Sequence, residues 1–282
     1  NVHALALDGD FDDCQARVKD MFNDMAFRDG VRLSAVNSIN WARLMAQIVY
    51  YFYAAVRLGG PDRPVAFSVP TGNFGDVFAG YVAAQMGLPI ARLVVATNVN
   101  DILHRALTRG DYSAGTVTAT ATPSMDIQVS SNFERLLFDL SGRDGAAITG
   151  MMGEFDRQRA MTIPADMLAG ARGLFSSASI DGDAMALALR WAQEHGGQII
   201  DPHSAVGLAA ARTLDIDADI PVVTLATAHP AKFREAVERA TGVRPPLPAR
   251  LGNLFEREER YTKLPGDYDA VKAFVLAESA RG

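Results

Sequence analysis

VPTGNFGDVFAGYVAAQMG, residues 69–87, runs from the end of an apolar strand into an apolar helix through a turn that carries two glycines, Gly72 and Gly75. A helix that starts near Asp76 leaves its first backbone N–H groups without partners inside the helix, and the helix dipole adds positive character at the same place. An anion, phosphate above all, suits that end. The spacing fits neither G-x-G-x-x-G nor G-x-x-x-x-G-K-[ST], so neither a dinucleotide turn nor a P-loop is indicated. On the residues alone a second reading stays open, an ordinary strand-to-helix turn with Asp76 as its N-cap.

Outward from this turn, strand-like runs alternate with helical ones. VHALAL (2–7) precedes a helical run at 12–27, PVAFSV (64–69) one at 76–86, and IARLVVAT (90–97) one at 100–109. GQIID (197–201) precedes 203–214, and IPVVTLAT (220–227) precedes 230–241. Parallel strands need crossover connections and are covered on both sides, so the rhythm predicts an α/β fold: an open, mainly parallel sheet with helices on both faces. Gly87 with Pro89, then Gly110, then Gly196 with Gly197, close three helices in the way a left-handed C-terminal residue does. RPPLPARLGN (244–253) reads as a bend before a C-terminal extension with a final helix near 267–279, and there is no internal repeat or low-complexity segment.

Composition narrows the function classes. The 282 residues are 49% hydrophobic, enough for one large core or two smaller ones. The net charge of −6 comes from 33 acidic and 27 basic residues without blocks, which speaks against nucleic acid and anionic membranes as partners. Cys14 is the single cysteine and no Cys/His spacing resembles a metal site, so a reducing compartment, the cytoplasm, is expected, with no metal. IVYYFYAAV (48–56) has half the length of a membrane span and reads as a buried helix, with Tyr50, Tyr51, Phe52 and Tyr53 in the core. The chain starts on Asn1 and NVHALALDGDF has no signal-peptide features, so the sequence is expected to start inside a longer protein.

A second anion site is suggested by VNSINWARL (36–44), where Ser38 and Asn40 stand just ahead of a helix and Arg43 lies one turn in. A hydroxyl, free helix amides and a guanidinium together suit a phosphate; the alternative is a capped helix whose arginine is solvated. His203 and His229 both sit where helices begin, which favours structural roles. Ser130, Ser131 and Asn132 either line a pocket or cap the helix through FERLLF, and Cys14 has no activating neighbours.

PTGNFGD (70–76) resembles the phosphate loop of pyridoxal-phosphate enzymes of the tryptophan-synthase-β fold type, fold type II. NSINWARL (37–44), PSMDIQVSSNFERLLFD (123–139), DPHSAVG (201–207) and TAHPAKF (227–233) resemble threonine synthase. The likeness runs over nearly the whole chain and corresponds to the C-terminal two-thirds of a family member.

The resemblance implies pyridoxal 5′-phosphate as cofactor, with Gly72, Asn73, Phe74, Gly75 and Asp76 around its phosphate and Thr227 near the ring nitrogen. Asp76, a carboxylate beside a phosphate, is expected to turn away and accept hydrogen bonds from loop or helix amides. Thr227 offers the ring a neutral hydroxyl, which makes a weaker electron sink than an aspartate would. O-phospho-L-homoserine is the implied substrate, its phosphate held by Ser38, Asn40, Arg43 and Asn73, and L-threonine and phosphate are the products. Residues 1–35 would end a smaller, lysine-bearing domain and 36–282 would form the large phosphate-binding domain, with the cofactor in the cleft between them and the protein a monomer or homodimer.

One part of the family pattern is missing. The Schiff-base lysine of such an enzyme lies in a Ser-Phe-Lys-Asp-like segment, and none of Lys19, Lys232, Lys263 and Lys272 does. No catalytic residue is therefore assigned here, and the chain alone is expected to be inactive. The alternatives are a non-catalytic module that binds pyridoxal phosphate or a phospho-amino acid, and another β- or γ-replacement enzyme of the same fold.

Overall fold

The computed structural model describes residues 2–9, 11–213 and 215–280, and by contact the chain divides into two units, Asn1–Val36 with Pro248–Gly282, and Asn37–Leu247. In chain order the first unit contributes β1 (Leu5–Leu7), α1 (Phe11–Asn23) and α2 (Met25–Gly30). The second contributes α3 (Trp41–Arg57), β2 (Val65–Pro70), α4 (Gly75–Gln85), β3 (Ile90–Thr97), α5 (Ile102–Arg109), β4 (Asp111–Ser113), α6 (Phe133–Leu140) and α7 (Gly145–Gln158). It continues with β5 (Ala160–Thr162), α8 (Ala165–Arg172), β6 (Phe175–Ser179), α9 (Gly182–Gly196), α10 (Pro202–Thr213), β7 (Val222–Thr224) and α11 (Arg234–Thr241). The chain then returns to the first unit with β8 (Thr262–Leu264) and α12 (Tyr268–Ser279).

In the second unit, β6, β3, β2 and β7 lie side by side in that order and all run parallel, with Phe67 opposite Leu93 and Ser68 opposite Thr224. Successive residues of a strand point to opposite faces, and the core follows that alternation. Val65, Phe67, Val69, Leu93 and Val95 pack with Leu44, Tyr51, Val77 and Leu103 from α3, α4 and α5. Val94 and Ala96 face the other way, against Met185, Leu189 and Ala205 of α9 and α10. The fold class is α/β, with a parallel sheet covered by helices on both faces, as the sequence rhythm predicts. Gly110 and Gly197 end α5 and α9 in the left-handed conformation, at φ 76° and 61°.

Several elements depart from the sequence expectation. The first strand stays out of the main sheet: β1 pairs in parallel with β8, Leu5 opposite Thr262. The helical run at 12–27 breaks at Asp24, which caps α2 by accepting the Phe27 N–H at 3.0 Å. GQIID forms no strand, and the sheet edge is β6, FSSAS, instead. Residues 248–282, read in the sequence with the large domain, group with the N-terminal segment, where Met21, Phe27 and Val271 make a small core. Only one face of α3 is buried: Leu44, Ile48, Tyr51 and Ala55 point inward, whereas Tyr50 and Tyr53 are 50% and 66% exposed. The run at 48–56 is thus amphipathic rather than wholly buried. Among the described residues no helix is long and apolar enough to cross a membrane, and no group of three or more His, Cys, Asp or Glu is placed to hold a metal.

Candidate functional site

The glycine turn leaves the sheet at its carboxyl edge, where open parallel sheets bind ligands. Thr71 directly follows β2, its N–H donating to Ala96 O at 2.8 Å and its hydroxyl to Val69 O at 2.6 Å. α4 then starts at Gly75 with Phe74 as its N-cap, at φ 63° and ψ 7°, and no side chain caps the end. Asp76 is therefore not the N-cap. The left-handed residue is Phe74 rather than either glycine, and its ring explains why: 1% exposed, it is held 5.2 Å from the Phe133 ring and 5.7 Å from that of Phe175. Packing over-determines a backbone conformation that phenylalanine otherwise avoids. The glycines answer to close approach instead. A Cβ on Gly72 would stand 2.7 Å from Ser124 O, and one on Gly75 2.9 Å from Ser38 Cβ.

The segment at 130–132 pins the turn from the side. Ser130 Oγ donates to Gly72 O at 2.9 Å, and the Asn132 N–H and Nδ2 both reach Asn73 O, at 3.1 and 2.9 Å. Asn132 Nδ2 also donates to Ser38 Oγ at 3.0 Å, so one buried amide ties Ser38 to Asn73. Arg135 donates to Asn132 Oδ1 at 3.0 Å and to Ile39 O at 3.1 Å, which orients that amide. Asn132 stands at the N-cap position of α6 without capping it, its side chain being engaged by the turn and Ser38. The sequence singled out Ser38 and Asn73 on separate motifs; the partner that joins them was left open.

Asn40 caps α3, accepting the Ala42 N–H at 3.0 Å. Arg43 follows one turn in, exposed, and its charge acts on Asp76. The two motifs thus adjoin each other, and Arg43 is electrostatically linked to the glycine turn as well as to its own helix start. Asp76 does not accept loop amides as expected: the Tyr51 hydroxyl donates to its carboxylate at 3.2 Å and to its main-chain carbonyl at 2.8 Å. Burial pushes the Asp76 carboxyl up to about 6, against the hydrogen bond from Tyr51 and the charge of Arg43, which both pull it down. The fully buried Tyr51 hydroxyl is itself held well above its usual range by burial and by Asp76.

Thr227 lies three residues beyond β7 and is exposed. Its N–H donates to Ser204 Oγ at 3.0 Å, and the Ser204 hydroxyl donates in turn to Asp201 Oδ2. The other Asp201 oxygen accepts the His203 N–H at 2.9 Å and Nδ1 at 3.0 Å, while His203 Nε2 accepts the Ser124 N–H at 3.3 Å. That pattern places the imidazole proton on Nδ1. Burial raises the Asp201 carboxyl, and the donors from His203 and Ser204 outweigh it, leaving the group below its usual range. His229 Nδ1 accepts the Ala231 N–H at 3.1 Å and caps the short turn at Pro230–Phe233. Of the lysines, Lys232 lies over the Phe233 ring at 5.6 Å, Lys272 pairs with Asp24 at 2.5 Å, and Lys19 and Lys263 belong to α1 and β8.

A family model described as threonine synthase, C-terminal, matches residues 204–275. The threonine synthase of Pseudomonas aeruginosa is 52% identical over 283 residues, which take in 100% of this chain and 60% of that protein. That of Corynebacterium glutamicum is 43% identical over 286 residues, 98% of this chain and 59% of the relative. Among solved structures, the pyridoxal-phosphate-bound threonine synthase from Brucella melitensis superimposes with a TM-score of 0.90 at 52% identity, over 99% of this chain and 60% of that one. The yeast threonine synthase gives 0.87 at 37% identity, over 100% and 60%. The chain spans about three-fifths of the length of the relatives it matches. Along its whole length, in sequence and in fold, the chain is similar to part of the threonine synthases it matches, and the matched family model is the C-terminal one.

Proposed function

We propose that the chain is the phosphate-holding part of a threonine synthase that converts O-phospho-L-homoserine and water to L-threonine and phosphate in the cytoplasm, as a monomer or homodimer. The observation that carries this reading is the Asn132 amide, which joins the uncapped end of α4 to Ser38 and so sets two anion-binding segments side by side. A reaction that needs both a cofactor phosphate and a substrate phosphate asks for that pairing.

Pyridoxal phosphate fits the residues present. The amides that open α4 have no side-chain cap, and the two glycine positions leave no room for a Cβ, which lets the turn backbone lie close to its neighbours and keeps side chains out of the cradle. When bound, the cofactor supplies an electron sink for charge that develops on the amino-acid carbons. The α4 amides hold its phosphate, and Asp76, drawn toward Tyr51, keeps its carboxylate on the protein side. The Thr227 hydroxyl offers the ring nitrogen a neutral partner, its position set through Ser204.

Ser38, Arg43 and Asn73 hold the phosphate of the substrate, which is also the leaving group. Charge that gathers on that phosphate as its bond to carbon breaks is met by the Arg43 guanidinium, and fixed donors of this kind favour departure over the resting substrate. Asn40 sets the start of α3 and hence the direction of Arg43. The proton-shuttling lysine is supplied from outside these residues, in the part of the relatives' length that the chain does not span.

The experiment is to supply the full-length protein with pyridoxal phosphate and O-phospho-L-homoserine and measure released phosphate and threonine. Stoichiometric release of both supports the reading. A protein with only the 30.3 kDa mass of these residues that bound the cofactor and released no phosphate would instead be a binding module. Turnover of serine or cysteine derivatives in preference to phosphohomoserine would mark another replacement enzyme.

A further inference from the structure

The two segments assigned to the cofactor, the turn at Gly72 and the loop at Thr227, leave the sheet from β2 and β7, two separate strands. Both are reached from one carboxylate. Asp201 is fully buried just ahead of α10, and its two oxygens serve different arms. Oδ2 accepts the Ser204 hydroxyl, which in turn accepts the Thr227 N–H at 3.0 Å. Oδ1 accepts His203 Nδ1 at 3.0 Å, and His203 Nε2 accepts the Ser124 N–H at 3.3 Å. The Ser124 carbonyl oxygen is the atom that a Cβ on Gly72 would strike at 2.7 Å, so Ser124 forms the wall against which the glycine turn rests. The imidazole is packed at 4.7 Å on Phe233, from the turn that follows Thr227, which limits its ring orientations.

The geometry points to Asp201 as a positioning residue that sets the spacing between the phosphate end and the ring end of the cofactor site, one oxygen acting through Ser204 on Thr227 and the other through His203 on Ser124. It rests on the cofactor reading above for its function, though not for its geometry. A carboxylate suits the task better than an amide, because all its lone pairs accept and the four donors that reach it come from two residues of one helix start, His203 and Ser204. A single anchor also makes the two arms interdependent. Loss of the carboxylate frees both loops, whereas loss of one relay residue frees one.

The test uses the full-length protein and the variants Ser204→Ala, His203→Phe and Asp201→Asn. Amide hydrogen exchange is followed residue by residue without cofactor, then binding of inorganic phosphate and of pyridoxal phosphate is titrated. Ser204→Ala should speed exchange at the Thr227 amide about tenfold and leave Ser124 unchanged; His203→Phe should do the reverse. Asp201→Asn should speed both. With cofactor, Ser204→Ala should shift the absorption band of the bound ring without weakening inorganic phosphate, and His203→Phe should weaken inorganic phosphate about tenfold. Either single-arm variant loosening both amides, or neither variant loosening its own, would overturn the assignment, and these two variants decide the matter even if Asp201→Asn fails to fold. The expected exchange pattern in a wild-type protein that binds neither phosphate nor pyridoxal phosphate would leave the tie standing and remove the cofactor reading instead.

Discussion

Replacing Asp76 with asparagine should make the cofactor-free protein more stable at pH 8 and leave it nearly unchanged at pH 4. The carboxyl is raised in the folded chain from an ordinary 3.8 to about 6, chiefly by burial. A carboxyl raised in the folded state gives stability that is complete below 3.8 and is lost as the pH climbs through about 6. At 1.36 kcal/mol for each tenfold change in proton affinity, the ionised group burdens the fold by about 3 kcal/mol above pH 7. Asparagine removes that burden and still offers Tyr51 an acceptor. It also removes a negative charge from the first turn of α4, which is worth about 0.3–1 kcal/mol in the opposite direction. The net gain at pH 8 is thus about 2 kcal/mol. Urea unfolding followed by tryptophan fluorescence reads it directly, because both tryptophans of the chain, Trp41 and Trp191, lie in the unit that carries the site. A variant no more stable than wild type at pH 8, or one offset by the same amount at every pH, would refute the reasoning.

Gly75→Val should force Ser38 and Leu44 aside, because its Cβ alone would already lie 2.9 and 3.3 Å from them; overpacking costs about 1–3 kcal/mol, and a cofactor-absorbance titration of the full-length protein should show at least tenfold weaker pyridoxal phosphate binding. Unchanged cofactor affinity would mean that the turn does not carry the phosphate. Asn132→Ala strips Ser38 Oγ and Asn73 O of a shared donor and should lower unfolding stability by about 1–3 kcal/mol while weakening inorganic phosphate, a loss that an equilibrium phosphate titration would reveal. In the first unit, Lys272, the Phe27 amide and Tyr268 hold the Asp24 carboxyl far below its usual range, so its contribution is present above that range and is lost as the pH falls. Lys272→Met should therefore weaken the acid dependence of stability, which urea titrations between pH 3 and pH 6 would measure.

The sheet was legible in the sequence where burial on both faces left long apolar runs, as in VAFSV and IARLVVAT, and the glycines at 110 and 197 marked helix ends through their left-handed conformation. Edge strand β6 was hidden because FSSAS pairs on one side only, with β3, and has little apolar content to show. GQIID has that content but precedes α10 as irregular chain, held instead through Asp201. The turn proposed to hold phosphate stood out as glycines next to a helix start. Its left-handed residue did not, since nothing local distinguishes Phe74; two aromatic rings distant in sequence, Phe133 and Phe175, impose that conformation. Asp76 was misjudged for the same reason, its partner Tyr51 lying 25 residues upstream. Asn132 stood in a quoted motif, yet its task of joining Ser38 to Asn73 spans 94 and 59 residues of sequence, and no spacing rule reaches that far.

The most direct measurement of whether two phosphate sites stand side by side is a paired titration of the full-length protein and its Arg43→Ala variant, following cofactor absorbance for one site and steady-state phosphate release for the other. Removal of a charge-assisted contact to the substrate phosphate should cost about 1.5–3 kcal/mol, at least tenfold in kcat/KM, while pyridoxal phosphate affinity stays within about twofold of wild type. Equal losses in cofactor affinity and in kcat/KM would mean that Arg43 and the glycine turn serve one shared anion site, and the assignment of Ser38, Arg43 and Asn73 to the substrate would be wrong.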